Sequence, residues 1–490
     1  MSDSLAFDLV VIGGGIVGLW TAREAQRRGL RVCVIERGGR DVERAAEDVA
    51  PRLTFSSREN LGATRARHHV LTGNSAFWGG GLLRNPRAVL ARMLGADEGA
   101  PAVVGLDAAY DHVETTLGIA RPGGARFESP VAELDGAEIT VLPGKRRAVW
   151  QSFLKRGTAD DASITILTGA TVIAVTLAAD RVASVMLRTS DGLNVVIAGT
   201  TFVIALGVID SCLFLQRFLA PAMPADVRPR VGAYLHDHWS IPVAELVWKN
   251  GGALSTLFPP TFTRQGIVGR RLGFATGFFH VVADYDRMPP YDRVKRFLAA
   301  RQRAAPAAEL GRLAVATLGA PWLMARAGLH YLRTRSLLVP DGTLVRIIVD
   351  FESTVDANNR VAWRGEDAVF DWDVREDDRA AFADALGRFS GPLAALVEKD
   401  AVACRWLATP ADRPAMNRYF EEFAIDAYHL GGGADPVHTG VTNADGRIVT
   451  MANAYVMSTA SFAFPGVANP VLTLLARSTS LVASLAPAST

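Results

Sequence analysis

The chain begins with a short, mostly apolar run, Phe7-Asp8-Leu9-Val10-Val11-Ile12, that stops at three glycines. Such a run predicts a buried parallel strand. From Gly18 to Arg28 the spacing turns helical, with Leu19, Ala22 and Ala25 on one face and Arg23, Gln26 and Arg27 on the other. Leu30-Arg31-Val32-Cys33-Val34-Ile35-Glu36 then predicts a second strand. A β-α-β unit is thereby complete within about 30 residues.

Downstream, Arg37 to Arg67 is polar and predicts loop with short helix, and His69 to Pro86 is rich in glycine. Asp107 to Gly118 predicts a helix. Ile164 to Gly207 carries alternating β-branched runs broken at Ala179-Asp180 and Ser190-Asp191-Gly192, a meander followed by a buried strand. Between Ile241 and Ala427, apolar strands such as Leu344 to Val349 mix with Arg- and Ala-rich helices. From Tyr428 the chain returns to glycine, a strand and a closing helix, Pro470 to Leu485. The predicted fold class is α/β: a Rossmann-like dinucleotide domain from residues 1–90, 150–240 and 428–490, and an α+β substrate domain with an antiparallel sheet, together with connecting elements, from 91–149 and 241–427.

Composition narrows the classes. At 490 residues two domains are expected, and an apolar share of 49% excludes extensive disorder. A net charge of +2 argues against nucleic acid as a partner. The cysteines Cys33, Cys212 and Cys404 have no metal or disulfide spacing and read as buried thiols in a reducing cytoplasm. No basic, apolar leader precedes Phe7. The most membrane-like stretch, Leu313 to Ala325, is interrupted by Pro321 and falls short of the roughly 20 apolar residues that span a bilayer.

The chemistry starts at Gly13, Gly15 and Gly18, which fit G-x-G-x-x-G between a strand and a helix. Gly13 serves the tight turn, Gly15 the approach of a pyrophosphate, and Gly18 close helix packing. The phosphates would lie at the helix N-terminus, where free N–H groups favour anions. Glu36, ending the second strand, is placed for a ribose hydroxyl pair, and an acid there disfavours a 2′-phosphate. NAD and FAD both use this unit, so the rest of the chain must choose.

A second glycine loop, Leu71-Thr72-Gly73-Asn74-Ser75-Ala76-Phe77-Trp78-Gly79-Gly80-Gly81, stands too far downstream to belong to the first turn. Here the sequence resembles the glucose-methanol-choline (GMC) flavoprotein oxidoreductases, whose G-G-S-S-like loop passes along the flavin. The helix Asp107 to Gly118, the Gly169-Ala170-Thr171-Val172 strand, Ala205 to Ser211, Val231 to His238, Tyr428 to Gly432 and Ala460 to Pro470 follow in the family's order. The resemblance spans the chain and is weakest from Ile241 to Ala427. It implies FAD as cofactor, with Gly73, Asn74, Ser75 and Trp78 along the flavin, Val172 at the adenine, and Pro470 opening a helix toward the ring.

By the same resemblance His429 is the active-site base and Asn469 its partner. Alcohol oxidation removes a hydroxyl proton while hydride leaves carbon, and an imidazole suits the proton transfer. Asn469 would hold the substrate oxygen, and could also cap the final helix with Pro470 at its first position. Some relatives attach FAD covalently through a His in the second glycine loop. Phe77 stands where that His could be, so non-covalent FAD is expected. The sequence departs from the family's H-P-x-G-T at His429-Leu430-Gly431-Gly432-Gly433 and lacks the Asp of D-A-S-x-x-P at Thr459.

Other residues invite competing readings. His236 and His238 flank Asp237 with one-face spacing, yet no further ligand set is evident and no metal is expected. His68, His69 and His438 read as loop residues, with a reservation that His438 could line the pocket. Glu421, Glu422 and Asp426 read as a solvated acidic turn, or as a site for a cationic substrate. The Arg-rich stretch from Arg293 to Arg335 reads as a solvated basic face, or as a dimer contact or docking site for an acceptor or membrane surface. The expected reaction is oxidation of a small-molecule alcohol, a sugar, glycoside or polyol leading. The alternatives are a lyase of the oxynitrilase type or another non-redox flavoprotein, such as a non-catalytic flavin-bearing partner in an assembly, and the electron acceptor (O₂, a quinone or a protein) is open.

Overall fold

The computed structural model describes residues 5–40, 51–76, 81–118, 138–144, 164–259, 261–262, 267–274, 277–283, 293, 296–297, 300, 306–317, 321–467 and 469–485. The first strand, Leu5–Ile12, lies between Val32–Ile35 and Asn194–Ile204 and runs parallel to both. Ile164–Leu167 adds a further parallel strand beyond Val32–Ile35. The last four residues of the first strand and all four of Val32–Ile35 are buried, as a sheet covered on both faces requires.

The long strand Asn194–Ile204 serves two partners on its far side. Its start pairs antiparallel with Arg181–Thr189, which pairs in turn with Ala170–Ala178. Its end pairs parallel with Ala454–Val456, which brings the C-terminal part of the chain into the N-terminal sheet. A second, antiparallel sheet runs through Ile267–Phe274, Gly277–Ala283, Leu344–Glu352 and His238–Val247. The short strands Cys404–Trp406 and Ile425–Asp426 pair with His238–Val247. Glu138–Gly144 and Thr261–Phe262 pair with Ile267–Phe274.

Two cores result. On one face of the first sheet, the helices Ile16–Gln26, Leu106–Leu117 and Val471–Leu485 bury Leu19, Trp20, Tyr110, Val113, Leu472 and Leu475. Tyr110 shares a hydrogen bond of 2.7 Å with Thr473, and Trp20 donates to Thr479 at 3.0 Å. The helices within 87–117 thus pack on the dinucleotide sheet, whereas the sequence reading grouped residues 91–149 with the substrate domain and connecting elements. Gly118 ends Leu106–Leu117 with φ 58°, a left-handed cap that glycine accepts freely.

The other core runs from the first sheet to the second, and aromatic side chains fill it where helices cover the second sheet. Trp239 lies 5.4 Å from Trp372 and 5.8 Å from Phe420, and Phe382 stacks on Phe420 at 5.0 Å. All four are buried, each worth about 1.5–3 kcal/mol relative to exposure. Cys33 and Cys212 are buried as expected, whereas Cys404 is only half-buried. The membrane-like stretch overlaps the helices Ala307–Thr317 and Pro321–Thr334. Among the described residues no helix is long and apolar enough to cross a membrane.

Candidate active site

The first glycine loop divides its labour among its glycines. Gly13 has φ 112°, and a Cβ there would sit 2.4 Å from the Ala205 carbonyl oxygen. A Cβ on Gly18 would lie 2.0 Å from the Gly13 oxygen, so only glycine lets the helix approach the turn. A Cβ on Gly15 would meet nothing within 4 Å. That opening lies at the N-terminus of Ile16–Gln26, where a pyrophosphate can approach bare backbone N–H groups. Glu36 is buried and accepts from Gly14 N at 2.8 Å and Gly38 N at 2.7 Å. One bond to each oxygen leaves both with acceptor capacity for ribose hydroxyls.

The second glycine loop lies across the first. Thr72 N donates to Gly14 O at 2.8 Å, Gly15 and Thr72 form a bridge, and a Cβ on Gly73 would stand 3.3 Å from Gly15 Cα. Thr72 takes φ 87°, a costly conformation for a β-branched residue. Its hydroxyl is buried without a hydrogen-bond partner, the kind of orphan that a bound group satisfies. Ser75 Oγ donates to Thr72 O at 2.7 Å, and Asn74 bonds the Ala66 carbonyl and His68 N, so both brace the loop. Phe77 and Trp78 lie outside the described residues.

At the carboxyl ends of the parallel strands a cavity of about 320 Å³ is lined by Ile12, Ile35, Val172, Leu206, Asp210 and Phe214. Ligands of open α/β sheets bind at this end. Asp210 was not legible as a site residue. Arg67 grips its carboxylate with two bonds, 2.8 and 2.7 Å, and His69 Nε2 lies 3.3 Å away. Burial pushes the Asp210 carboxyl up, but the Arg67 guanidinium, its hydrogen bonds and His69 outweigh it and hold the group well below the usual carboxylate range. His69 thus belongs to this cluster rather than to an exposed loop. Arg37, which also lines the cavity, has a buried Nη1 without a hydrogen bond, 3.7 Å from Asp210. The open Gly15, the acceptor capacity of Glu36 and these unpaired polar atoms fit a dinucleotide.

His429 and Asn469, 40 residues apart, meet: Asn469 Nδ2 lies 2.7 Å from His429 Nε2. The amide donates and the ring nitrogen accepts, which places the imidazole proton on Nδ1. The histidine–aspartate–histidine stretch brings them together. Residues 427–431 run beside 236–238, with His236 and Gly431 exchanging backbone bonds at 3.0 and 2.8 Å and Ala427 N donating to His238 O at 3.0 Å. The Asp237 carboxylate accepts His429 N at 2.9 and 3.1 Å. On the other side His236 Nε2 donates to Phe462 O at 2.9 Å and His238 Nε2 to Gly466 O at 2.6 Å. Both imidazoles therefore face the 462–466 segment that leads to Asn469. Tyr428, with φ 63°, turns the chain into His429, and the His238 ring meets the His429 ring edge-to-face at 5.4 Å.

The helix after Asn469 spans Val471–Leu485, one residue later than the sequence reading. Leu474 N donates to Pro470 O at 3.1 Å, so Pro470 occupies the cap and Asn469 stands just outside it. Its amide is turned to His429 instead of to the helix.

Burial sets the charge states around this pair. Asp237 is fully buried, and burial followed by the facing Asp426 carboxyl pushes it well above the usual carboxylate range. Asp426 is raised as well, chiefly by burial, while accepting Leu61 N at 2.6 Å and Gly62 N at 2.7 Å. It ties two chain segments together and is not part of an acidic surface turn; Glu421 pairs with Arg379 at 2.6 Å. Burial lowers His236 to about 4, so this ring is neutral. Asp237, His238 and His429 each bring a ligand atom within 4.8 Å of the others. The Asp237 oxygens already take the N–H groups of His238 and His429, and His238 Nε2 is bound to a carbonyl, which are the bonds of a staple rather than of a metal cage. His438 is bonded to Asp435 at 3.2 Å and stacked on Tyr234 at 5.3 Å.

A family model described as DAO, FAD dependent oxidoreductase, matches residues 8–51. Among solved structures, pyridoxine 4-oxidase from Mesorbium loti is 16% identical, with a TM-score of 0.57 over 97% of this chain and 98% of that one. A variant formate oxidase of Aspergillus oryzae RIB40, from work on FAD modification, is 13% identical, with a TM-score of 0.60 over 99% of both chains. A further formate oxidase structure is 12% identical, with a TM-score of 0.57 over 99% of both chains. Among curated proteins no sequence match is significant. At these identities the likeness establishes the fold: a Rossmann-like sheet with a separate antiparallel sheet, the architecture of the GMC flavoproteins.

Proposed function

We propose that the chain is an FAD-dependent oxidoreductase of the GMC type that oxidises a CH–OH group to a carbonyl. The observation that carries this reading is the 2.7 Å contact between His429 and Asn469, two polar side chains 40 residues apart in sequence. The match of residues 8–51 to the FAD model and the cofactor-ready glycine loop support FAD as the ligand. When bound, FAD supplies the hydride acceptor. Gly13, Gly15, Gly18 and Glu36 would hold its pyrophosphate and ribose; Gly73, Asn74 and Ser75 would follow the flavin, where the family resemblance alone also puts Trp78, Val172 would meet the adenine, and Pro470 would open the helix toward the ring. Phe77 offers no nucleophile for a covalent link, which favours non-covalent binding.

His429 Nε2 takes the hydroxyl proton of the substrate, a contribution of typically about 10²–10⁴-fold. Asn469 Nδ2, freed from that nitrogen, donates to the substrate oxygen as negative charge develops. Asp237 fixes the His429 backbone, and the edge contact of His238 restricts its ring. The substrate is a small alcohol. A sugar, glycoside or polyol follows from the family resemblance, and the likeness to pyridoxine 4-oxidase adds an aromatic primary alcohol to that set.

Anaerobic mixing of the yellow protein with polyols, sugars and pyridoxine tests the reading. One of them should bleach the visible flavin band. No bleaching with any alcohol, together with cleavage of a cyanohydrin, would replace the oxidoreductase by a lyase.

A further inference from the structure

Charge is not spread evenly along this chain. From Arg293 to Arg335 it carries nine basic residues and one acid, Glu309, a net +8 (nine less one) against +2 for the whole chain. Among the described residues of this stretch, none takes part in the site around His429. Within this stretch the helix Pro321–Thr334 has no buried residue, and Trp322, Leu329 and Leu332 are 76%, 50% and 67% exposed. Val315, on the helix Ala307–Thr317, is 71% exposed.

The helical period orders these positions. Leu323, Met324, Ala327, His330 and Tyr331 are half-buried and form the inner side. Trp322, Arg326, Leu329, Leu332 and Arg333 fall in one outer stripe, so arginines alternate with large apolar side chains on the side facing solvent. Arg312, Arg326 and Arg333 have no ion pair among the described residues. The inner side is mainly apolar, as in any packed helix, but an ordinary solvated helix would be polar on its outer face.

We propose that this face docks in the plane of an anionic lipid surface. Trp322 and the leucines enter the headgroup boundary while the arginines reach the lipid phosphates along their apolar stems. Fourteen residues make a helix of about 21 Å, too short to span a bilayer and suited to lying on it. A second copy of the chain is a poor occupant. Symmetric pairing sets the same patch against itself, and Arg326 and Arg333 would then face their own copies.

Flotation of the FAD-loaded full chain with vesicles decides the matter. The protein should float with phosphatidylcholine vesicles that contain phosphatidylglycerol and stay behind with phosphatidylcholine alone, and salt should release it. Each surface arginine contributes about fivefold in partition, so Arg326→Gln with Arg333→Gln should weaken binding about 25-fold. Trp322→Ser should weaken it as well. The flavin spectrum and thermal midpoint of these variants should match the parent, which separates lost docking from lost folding and from the redox reading. Absence of flotation, equal binding to neutral vesicles, or an unchanged partition in the double arginine variant would overturn the proposal. So would a dimer in solution that Trp322→Ser dissociates.

Discussion

Replacing Asp237 with alanine removes the acceptor that holds the His429 backbone. The carboxyl takes His238 N at 2.6 Å and His429 N at 2.9 Å in a fully buried setting. Two stranded buried N–H groups cost about 1–3 kcal/mol each, so Asp237→Ala should lose about 2–6 kcal/mol. Asp237→Asn keeps one acceptor oxygen and should lose less. Its second effect is on pH dependence. The folded-state pKa of Asp237 is raised, so the native protein binds more protons than the unfolded chain. The stability this proton provides is full below the unfolded value of about 3.9 and is lost as pH rises toward the folded value, at about 1.4 kcal/mol per pH unit per proton. Asp426, also raised, contributes with the same sign. Urea unfolding of parent, Asp237→Ala and Asp237→Asn across pH 4 to 8 reads both effects. An alanine variant within about 1 kcal/mol of the parent, or an asparagine variant with an undiminished slope, would refute the staple.

The glycine loop gives a paired test: Gly18→Ala should lower the thermal midpoint because its Cβ meets the Gly13 oxygen at 2.0 Å, while Gly15→Ala should fold normally and bind FAD more weakly by equilibrium dialysis. Arg67→Met strands the buried Asp210 carboxylate and should cost about 3–5 kcal/mol in denaturant unfolding, with weaker FAD binding at the adjoining cavity. His236, lowered to about 4, provides stability that is present above its unfolded value of about 6.5 and lost as pH falls toward 4; His236→Gln, which can still donate to Phe462 O, should flatten that acid limb in thermal scans.

What the sequence revealed follows the range of the interactions. The steric demands on Gly13 and Gly18 are local, set by one turn, and the structure shows both, while Gly15 is left open. The first strands and the meander were legible because their apolar period is short and uninterrupted. The Asp210 cluster was not, since Arg67 and His69 lie 143 and 141 residues away and nothing in their neighbourhoods signals a buried pair. Asp237 was visible as part of a motif, but its task of holding Ala427 to Gly431 beside it depends on a sheet that no local pattern announces. The placement of 87–117 with the dinucleotide domain has the same cause: Tyr110 finds its partner at Thr473, far down the chain. Meanwhile the single-residue shift at Pro470 reflects a cap that either neighbour could have filled.

The central claim is that His429, braced by Asp237 and paired with Asn469, moves the substrate proton beside bound FAD. Rapid mixing of His429→Ala with the alcohol that bleaches the parent tests it most directly. The variant should retain its yellow FAD and its fold, and flavin reduction should slow by about 10²–10⁴-fold. Reduction at the parental rate, with FAD still bound, would contradict the account.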